Sequence, residues 1–456
     1  MTQPVAAPDQ GNGDPPSKPT SQTRRVIALL VPCGLTMLMG LDAALVLLGV
    51  PAPVSGERFS SAHGIIMTIG FLEALVSLES AVSLRRLWAY CAPAALALGA
   101  LLVLTPLPLV VGQVLMLAGC LLLIVNYSVL WTRKHEPMVA VQVAGALAAL
   151  GAVILWTGGV SIPDLFAWLV AFLVLTIAAE RVVISRFSPS PLTPAGAQRY
   201  EQGIVVVSAL IVLACPFTTI WSSRVLPVFG VALIALTAVA AWGDGARNDL
   251  AVRPTPAPRP DSGEETPGAT QNPPVSPQNP PVSPSQRFTG VMVVVSYLWL
   301  IATGLLLLHP TLSGLHYDAL LHAVFLGFVM TMVVAHVPTY LPFLLEIRFR
   351  FNPGFWGVAV LLNVGLVVRI IADLAGSETG RAIGGLANIA ALLSLVAVAI
   401  WAAVVKGPDD SPAPAADTPS AVHTGSTTDT GSTTDTGSMT NTRTISDTSS
   451  TEDSRA

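Results

Sequence analysis

Long apolar runs constrain this chain more than any other feature of its sequence. A helix that crosses the hydrocarbon core of a bilayer needs about 20 mostly apolar residues, and the runs are continuous rather than alternating, which excludes membrane-spanning strands. The sequence therefore predicts an all-α integral membrane protein in the lipid bilayer with about twelve transmembrane helices, at roughly 26–49, 62–84, 88–105, 108–131, 137–157, 163–184, 201–221, 224–242, 288–308, 316–337, 353–373 and 382–405.

Basic residues predict how these spans are oriented. Lys and Arg accumulate on cytoplasmic segments, and with twelve spans 19 of the 23 basic residues fall on one side and 4 on the other. The exceptions are Arg58, Arg224, Arg369 and Arg381. We therefore expect both termini to be cytoplasmic and the protein to be a multi-pass protein of the cell (inner or plasma) membrane.

Composition excludes several other classes of protein. Charged residues make up 11% of the chain, against about 25% in soluble domains. No strongly basic surface is predicted, so nucleic acid is not expected as a partner. The four cysteines lie in apolar runs without CxxC spacing, which argues against a disulfide framework or a thiolate metal site.

Polar segments divide the chain. Residues 1–25 are predicted to be a disordered cytoplasmic N-terminus, and residues 406–456 a disordered Ser/Thr/Asp-rich cytoplasmic tail. Residues 243–287 form a Pro-rich cytoplasmic linker with a tandem QNPPVSP repeat at 271–284, which separates helices 1–8 (26–242) from helices 9–12 (288–405). The linker is a candidate docking site for a protein partner.

Ionisable side chains inside predicted spans are costly and mark functional hypotheses. The second span holds His63, Glu73 and Glu79, and Asp42 lies in the first. The tenth and eleventh spans hold Asp318, His322, His336, Arg369 and Asp373. Glu73 is either a proton-relay acid or a structural hydrogen-bonding group, and both alternatives place it inside the bundle. Arg369 and Asp373 are four residues apart, which favours a structural ion pair.

Helical spacing sorts the histidines. Asp318 and His322 are four residues apart and share a face of the helix. The carboxylate can therefore orient the imidazole through one ring nitrogen and leave the other free for a metal. His336 lies fourteen residues further, or about 21 Å along a helix, and cannot share a ligand sphere with His322. Topology places His63 and His322 at the outer membrane level together with His309 and His316, which are as readily explained as interfacial polar residues.

Two stretches resemble signature regions of a known family. The first runs H-G-I-I-M-T-I-G-F from His63 to Phe71, and the second runs H-A-V-F-L-G-F-V-M-T-M from His322 to Met332. Both resemble motifs of the NnrS family, which comprises polytopic membrane proteins associated with haem, copper and nitric-oxide stress. Ile65 and Ile66 stand where the first family motif has a second histidine and an acidic residue.

The resemblance implies that His63 and His322 are ligands of a haem or a copper ion. Asp318 would then orient His322, and Glu73 would be a proton or polar relay. His316 and His309 are less favoured metal ligands. A more distant similarity is to haem–copper oxidase subunit I, which also has histidine ligands on spans 2 and 10. The dinuclear centre of that family has no equivalent, because spans 3 to 8 contain no histidine within the membrane.

Two other functions remain open from the sequence. A proton-coupled secondary transporter would use Glu73, Asp318 and Arg369 to bind substrate or carry protons. A structural or assembly subunit would use the linker and tail to bind partners. Whether the protein is an enzyme does not follow from any of these features.

Overall fold

The structure is a computed structural model that describes residues 20–54, 56–186, 192–246, 250, 282–309, 314–347 and 349–405. This part of the chain is helical and contains no strand. Eleven of its helices are long and apolar enough to cross a membrane. In chain order the helices are α1 (Ser21–Leu47), α2 (Arg58–Leu84), α3 (Leu87–Val103), α4 (Leu109–Lys134), α5 (Pro137–Thr157), α6 (Ile162–Ser185), α7 (Pro194–Ile220), α8 (Ser222–Gly243), α9 (Pro284–Leu306), α10 (Gly314–Leu345), α11 (Gly354–Ala375) and α12 (Glu378–Val404), of which only α3 is shorter.

Short polar residues begin several of these helices. A hydroxyl at the N-cap accepts a hydrogen bond from a backbone N–H that has no partner in the first turn. Thr193 caps α7 in this way, and Ser377 caps α12. Ser283 and Gln286 form a reciprocal capping box at the start of α9. These caps fix where the apolar runs become helical.

Three helices form the centre of the bundle. The apolar windows of α2 and α6 are each 78% buried and that of α10 is 61% buried, whereas those of the other spans are 28–50% buried. α6 contacts both α2 and α10. Peripheral helices expose apolar side chains, such as Leu213 of α7 and Ile371 of α11, at 66% and 62%. Such faces are stable only against lipid, so the protein is a multi-pass membrane protein.

Two central helices contain π-helical segments. Residues Ile66–Glu73 of α2 and Ala323–Met330 of α10 are wound with i to i+5 hydrogen bonding, which is rare and frequent at functional sites. Each segment contains a glycine at a close approach. A Cβ on Gly70 would lie 2.3 Å from the Cβ of Ala100, and one on Gly327 would lie 2.5 Å from the Trp299 ring. The glycines therefore allow α2 and α10 to pack against α3 and α9.

α3 is short, but together with the turn that follows it, it covers the same depth as the neighbouring helices. At its start the Asn126 side chain of α4 donates to the Ala89 carbonyl at 3.2 Å. Just beyond its end, Arg58 at the beginning of α2 donates to the Thr105 carbonyl at 2.9 Å. Because the chain between these contacts passes from the end of α2 back to its beginning, α3 and the turn after it cover the depth of the longer helices.

Some predicted boundaries differ from the observed ones. α10 continues to Leu345, beyond the predicted end at 337, although Pro338 and Pro342 lie in its last turns. α1 begins at Ser21, inside the segment 1–25 predicted to be disordered. Asp244 belongs to the predicted linker 243–287, yet it is 1% exposed and hydrogen-bonded within the bundle. Most of that linker and the whole tail 406–456 lie outside the described residues.

Candidate functional site

A large cavity lies at one end of the bundle, between the first turns of α2 and α10. We call it the His63 cavity. It has a volume of about 800 Å³, and its lining includes both His63 and His322. The ends of α1 and α5 and the beginnings of α4, α6 and α12 complete its walls, which are mostly apolar. The two histidines predicted to be ligands therefore meet in one chamber.

Each of these histidines is fixed through the same ring nitrogen. Nδ1 of His63 is 2.9 Å from the carbonyl oxygen of Gly40, and Nδ1 of His322 is 2.8 Å from the carbonyl oxygen of Asp318. A carbonyl can only accept, so Nδ1 carries the proton and donates it in both rings. Nε2 is then the unprotonated nitrogen, and within the described residues it has no hydrogen-bond partner in either ring. This is the tautomer that binds a metal through Nε2.

Asp318 connects His322 to an arginine. One carboxylate oxygen is 3.4 Å from Nδ1 of His322, and the other accepts a hydrogen bond from Nη2 of Arg369 at 2.9 Å. The carboxylate is thus beside the imidazole, as the i, i+4 spacing predicts, but the shorter contact of Nδ1 is to the main chain of Asp318. Arg369 is 8% exposed and also lines the cavity.

The predicted ion pair of Arg369 with Asp373 is replaced by the pair with Asp318. Residues 369 and 373 share a face of α11, but the arginine side chain reaches across to α10, and the carboxyl oxygens of Asp373 make no hydrogen bond with described residues. Spacing within one helix could not reveal this contact, because the partner lies on another helix.

The other histidines of the same membrane level lie elsewhere. His309 and His316 have ring centroids 5.5 Å apart and line a separate cavity with Trp299 and Ile370. The group of four histidines expected from topology is therefore two pairs. His336 lines a third cavity near the other end of α10, as its distance from His322 predicts.

The described residues contain no group of three or more His, Cys, Asp or Glu side chains that could hold a metal ion. His63 and His322 are thus two imidazoles without a third such ligand nearby. The thioethers of Met67 and Met330 also line the His63 cavity. Two imidazoles suit a group that needs two axial ligands, whereas a bare copper ion would need thioether ligands as well.

Glu73 lies deeper in the bundle. It is 0% exposed, and neither carboxyl oxygen is hydrogen-bonded to a described residue. The thiol of Cys120 on α4 lies against it. Glu73 does not line the His63 cavity, so it cannot contact a ligand there. Its burial fits both alternatives from the sequence, a relay acid and a structural polar group.

A second group of polar residues was missed by the sequence analysis. Arg181 of α6 forms a bidentate pair with Asp244, at 3.0 Å through Nε and 2.5 Å through Nη2. Tyr297 of α9 donates to the same carboxylate at 2.7 Å, and Arg181 donates to Nε2 of His336 at 3.1 Å. Sequence patterns assigned Arg181 to the cytoplasmic basic residues and Asp244 to the linker. The feature that could have indicated this group is Glu180–Arg181, two adjacent charged residues inside a predicted span.

Comparison with known proteins gives a family and no function. A comparison with curated protein sequences found no match. A family model described as a domain of unknown function (DUF8744) matches residues 25–404, which includes all twelve helices except the first turn of α1. Because the match covers far more than half of the chain, the protein belongs to this family, DUF8744.

Proposed function

We propose that this protein binds a haem in the His63 cavity, where His63 and His322 would hold its iron. The observation that carries the proposal is the shared geometry of the two imidazoles. Both direct Nδ1 to a backbone carbonyl, and both leave Nε2 without a partner in the same chamber. Structural histidines normally use both nitrogens when they are buried.

The remaining features of the cavity fit this ligand. About 800 Å³ is within the range of cofactor sites, and mostly apolar walls suit the faces of a porphyrin. Arg58 and Arg369 line the same cavity and could hold carboxylate groups at its edge. Bound haem would supply one-electron chemistry at a potential set by its ligands and by burial. Asp318 would restrain His322, and His63 would be restrained by Gly40 of α1.

The biological role that we propose follows the resemblance to the NnrS family. Motifs around His63 and His322 support a role in tolerance of, or response to, nitric oxide or metal stress. Copper is the alternative ligand, because imidazole and the thioethers of Met67 and Met330 both bind copper. The test must therefore measure both haem and copper.

Absorbance spectroscopy provides that test. Protein purified in detergent from a haem-replete host should show a Soret band, which His63→Ala or His322→Ala should abolish or strongly shift. His316→Ala is the matched control, since it removes an imidazole from a neighbouring cavity and should leave the band unchanged. Wild-type protein with neither haem nor stoichiometric copper would contradict the proposal, and would favour the proton-coupled transporter.

We also propose twelve crossings with both termini in the cytoplasm of a bacterial-type inner membrane. The depth covered by α3 and the distribution of basic residues support this topology. Fusions that report cytoplasmic location should be positive at residues 135, 265 and 420 and negative at 57 and 313. If α3 did not cross, residue 135 would lie on the same side as residue 57, and a negative fusion at 135 would overturn the proposal.

A further inference from the structure

The cavity that His336 lines lies near the opposite ends of the three central helices. We call it the Glu180 cavity. It has a volume of about 170 Å³, and its lining includes Glu79 of α2, Glu180 of α6 and Tyr340 of α10. Leu72 of α2 lines this cavity and the His63 cavity as well. The two cavities therefore approach each other from opposite ends of the bundle and are separated at the level of Leu72.

The Glu180 cavity contains more acidic groups than available cations. Arg181 lines it, but this charge is already matched by the bidentate contact with Asp244. Glu79 and Glu180 lie close to each other, and neither forms an ion pair with a described residue. Paired carboxylates in apolar surroundings are costly unless they are neutralised. A proton on one of them removes their mutual repulsion, and a proton on each removes the buried charge as well.

Glu73 lies beside the layer that separates the cavities. It follows Leu72 directly and ends the π-helical segment of α2. The ionisable groups facing it are Cys120 and Tyr127, both from α4. The buried Tyr127 interacts electrostatically with Glu180, Glu79 and Glu73, so all three glutamates lie near one tyrosine. We call these four groups the polar line, which extends from the Glu180 cavity, lined by Glu79 and Glu180, to Glu73 beside Leu72.

The π-helical winding connects this line to the His63 cavity. Thr68 precedes Glu73 by five residues in the same segment and lines that cavity. Since a π-helix repeats its hydrogen bonds at five residues, Thr68 lies about one turn above Glu73. The Thr68 hydroxyl donates a hydrogen bond to the Gly64 carbonyl at 2.7 Å. Its oxygen can still accept a hydrogen bond from another donor.

We propose that Glu180, Glu79 and Glu73 form a proton relay from the Glu180 cavity to the His63 cavity. Glu73 gives its proton to the His63 cavity and takes one from Glu79, Glu79 takes one from Glu180, and Glu180 takes one from the Glu180 cavity. One proton is thereby transferred between the cavities, and each acid ends in the protonated state in which it began. The driving event is a gain of one negative charge in the His63 cavity. This inference rests on the proposed function, since reduction of the bound haem by an external one-electron donor provides that charge.

Proton uptake on reduction tests the relay. Purified protein is reduced with dithionite in weakly buffered detergent solution, and a pH-indicator dye and the Soret band are recorded together. Wild-type protein should take up close to one proton per electron. Glu73→Gln should slow the uptake about 100-fold, the usual contribution of a positioned acid or base, with an unchanged Soret maximum. Glu73→Asp should recover part of the rate.

Glu201→Gln is the matched control, because Glu201 lies in an exposed pair with Arg186 and should leave the uptake unchanged. Normal uptake by Glu73→Gln with an intact Soret band would overturn the relay but not the haem site. Absence of a Soret band in wild-type protein would overturn the haem site alone.

Carbodiimide labelling tests the relay independently of whether haem is bound. Dicyclohexylcarbodiimide modifies protonated carboxyl groups in apolar surroundings, and peptide mass spectrometry locates the product. Native membranes at neutral pH should show labelling at Glu73, Glu79 or Glu180 and none at Glu201. Absence of labelling at all three glutamates would contradict the relay.

Discussion

Two histidines of α10, His322 and His336, differ in how many of their ring nitrogens form hydrogen bonds. His336 uses both ring nitrogens, because Nδ1 donates to the Met332 carbonyl at 2.7 Å and Nε2 accepts from Arg181 at 3.1 Å. His322 uses Nδ1 alone, and its Nε2 has no partner among the described residues. The same residue type on one helix is therefore part of a closed structural network at one end and a candidate ligand at the other.

The comparison extends to the charges around the two histidines. Arg181 and Asp244 have side-chain exposures of 6% and 2%, and their network includes Tyr297. Arg369 and Asp318 form an ion pair with side-chain exposures of 8% and 24%, and both line a cavity of about 800 Å³. A buried, complete network resists change because removal of one member leaves the others unpaired. Variants can break or sharpen this distinction.

The largest effect is expected at Arg181. Arg181→Met should destabilise the protein by about 3–5 kcal/mol, since Asp244 would remain buried without its cation. Thermal unfolding of the detergent-solubilised protein measures this loss. Arg186→Ala is the control, because Arg186 pairs with Glu136 and Glu201 at 40% side-chain exposure, and should cost less than about 1 kcal/mol. Equal stability of the two variants would show that the network is not structural.

Next in size is the packing of α2 beside the His63 cavity. Gly70→Ala places a methyl group 2.3 Å from the Cβ of Ala100, and such overpacking costs about 1–3 kcal/mol. The shift of α2 should also change the Soret band, because His63 lies on this helix. Ala100→Gly in the same chain should restore both stability and spectrum. If the double variant resembles the single one, the contact does not set the position of α2.

A smaller effect on haem is expected at Asp318. Asp318→Asn retains the main-chain carbonyl that accepts from Nδ1 of His322 but removes the charge facing Arg369. Loss of such a supporting group typically weakens binding about 10- to 100-fold, whereas loss of either histidine removes a ligand. Haem titration of the apoprotein compares these variants. An effect of Asp318→Asn equal to that of His322→Ala would contradict this order.

The smallest effect concerns Glu346, which directly follows the last residue of α10 and contacts the beginning of α1. The hydroxyl groups of Thr20 and Thr23 donate to the Glu346 carboxylate at 2.6 Å and 3.0 Å, and these bonds lower the pKa of Glu346 below its usual value. A lowered folded-state pKa gives stability that is present above the unfolded pKa and is lost as the pH falls through the folded one.

Glu346→Gln should therefore cost less than about 1 kcal/mol at pH 7, because the site is exposed. The difference from wild type should begin to shrink near pH 4, where the carboxyl group of the unfolded chain starts to bind a proton, and should disappear only at lower pH, where the folded carboxyl group is protonated as well. Unfolding curves at pH 7 and at these lower pH values measure this change. A difference that grows on acidification would contradict the assigned direction.

Local rules predicted most of the helices. Apolar run length and capping residues act within one segment, so they locate helices without knowledge of their neighbours. His63 and His322 line one cavity, and the ligand role that their motifs imply stays a prediction. α3 shows the limit of run length, since its 17-residue helix is shorter than a usual span, while the contacts at its two ends reach Asn126 in the C-terminal half of α4 and Arg58 at the beginning of α2.

Apolar run length alone established that the chain is an all-α membrane protein and located several of the buried ionisable residues, but Arg181 and Asp244 were not among those identified. Tertiary structure decided their partners: Arg369 meets Asp318, Arg181 meets Asp244, and His309 and His316 are separated from His63. The physical reason is that hydropathy and helical period are properties of one helix. A contact between two helices depends on their packing, and π-helical winding shifts the faces that later residues present.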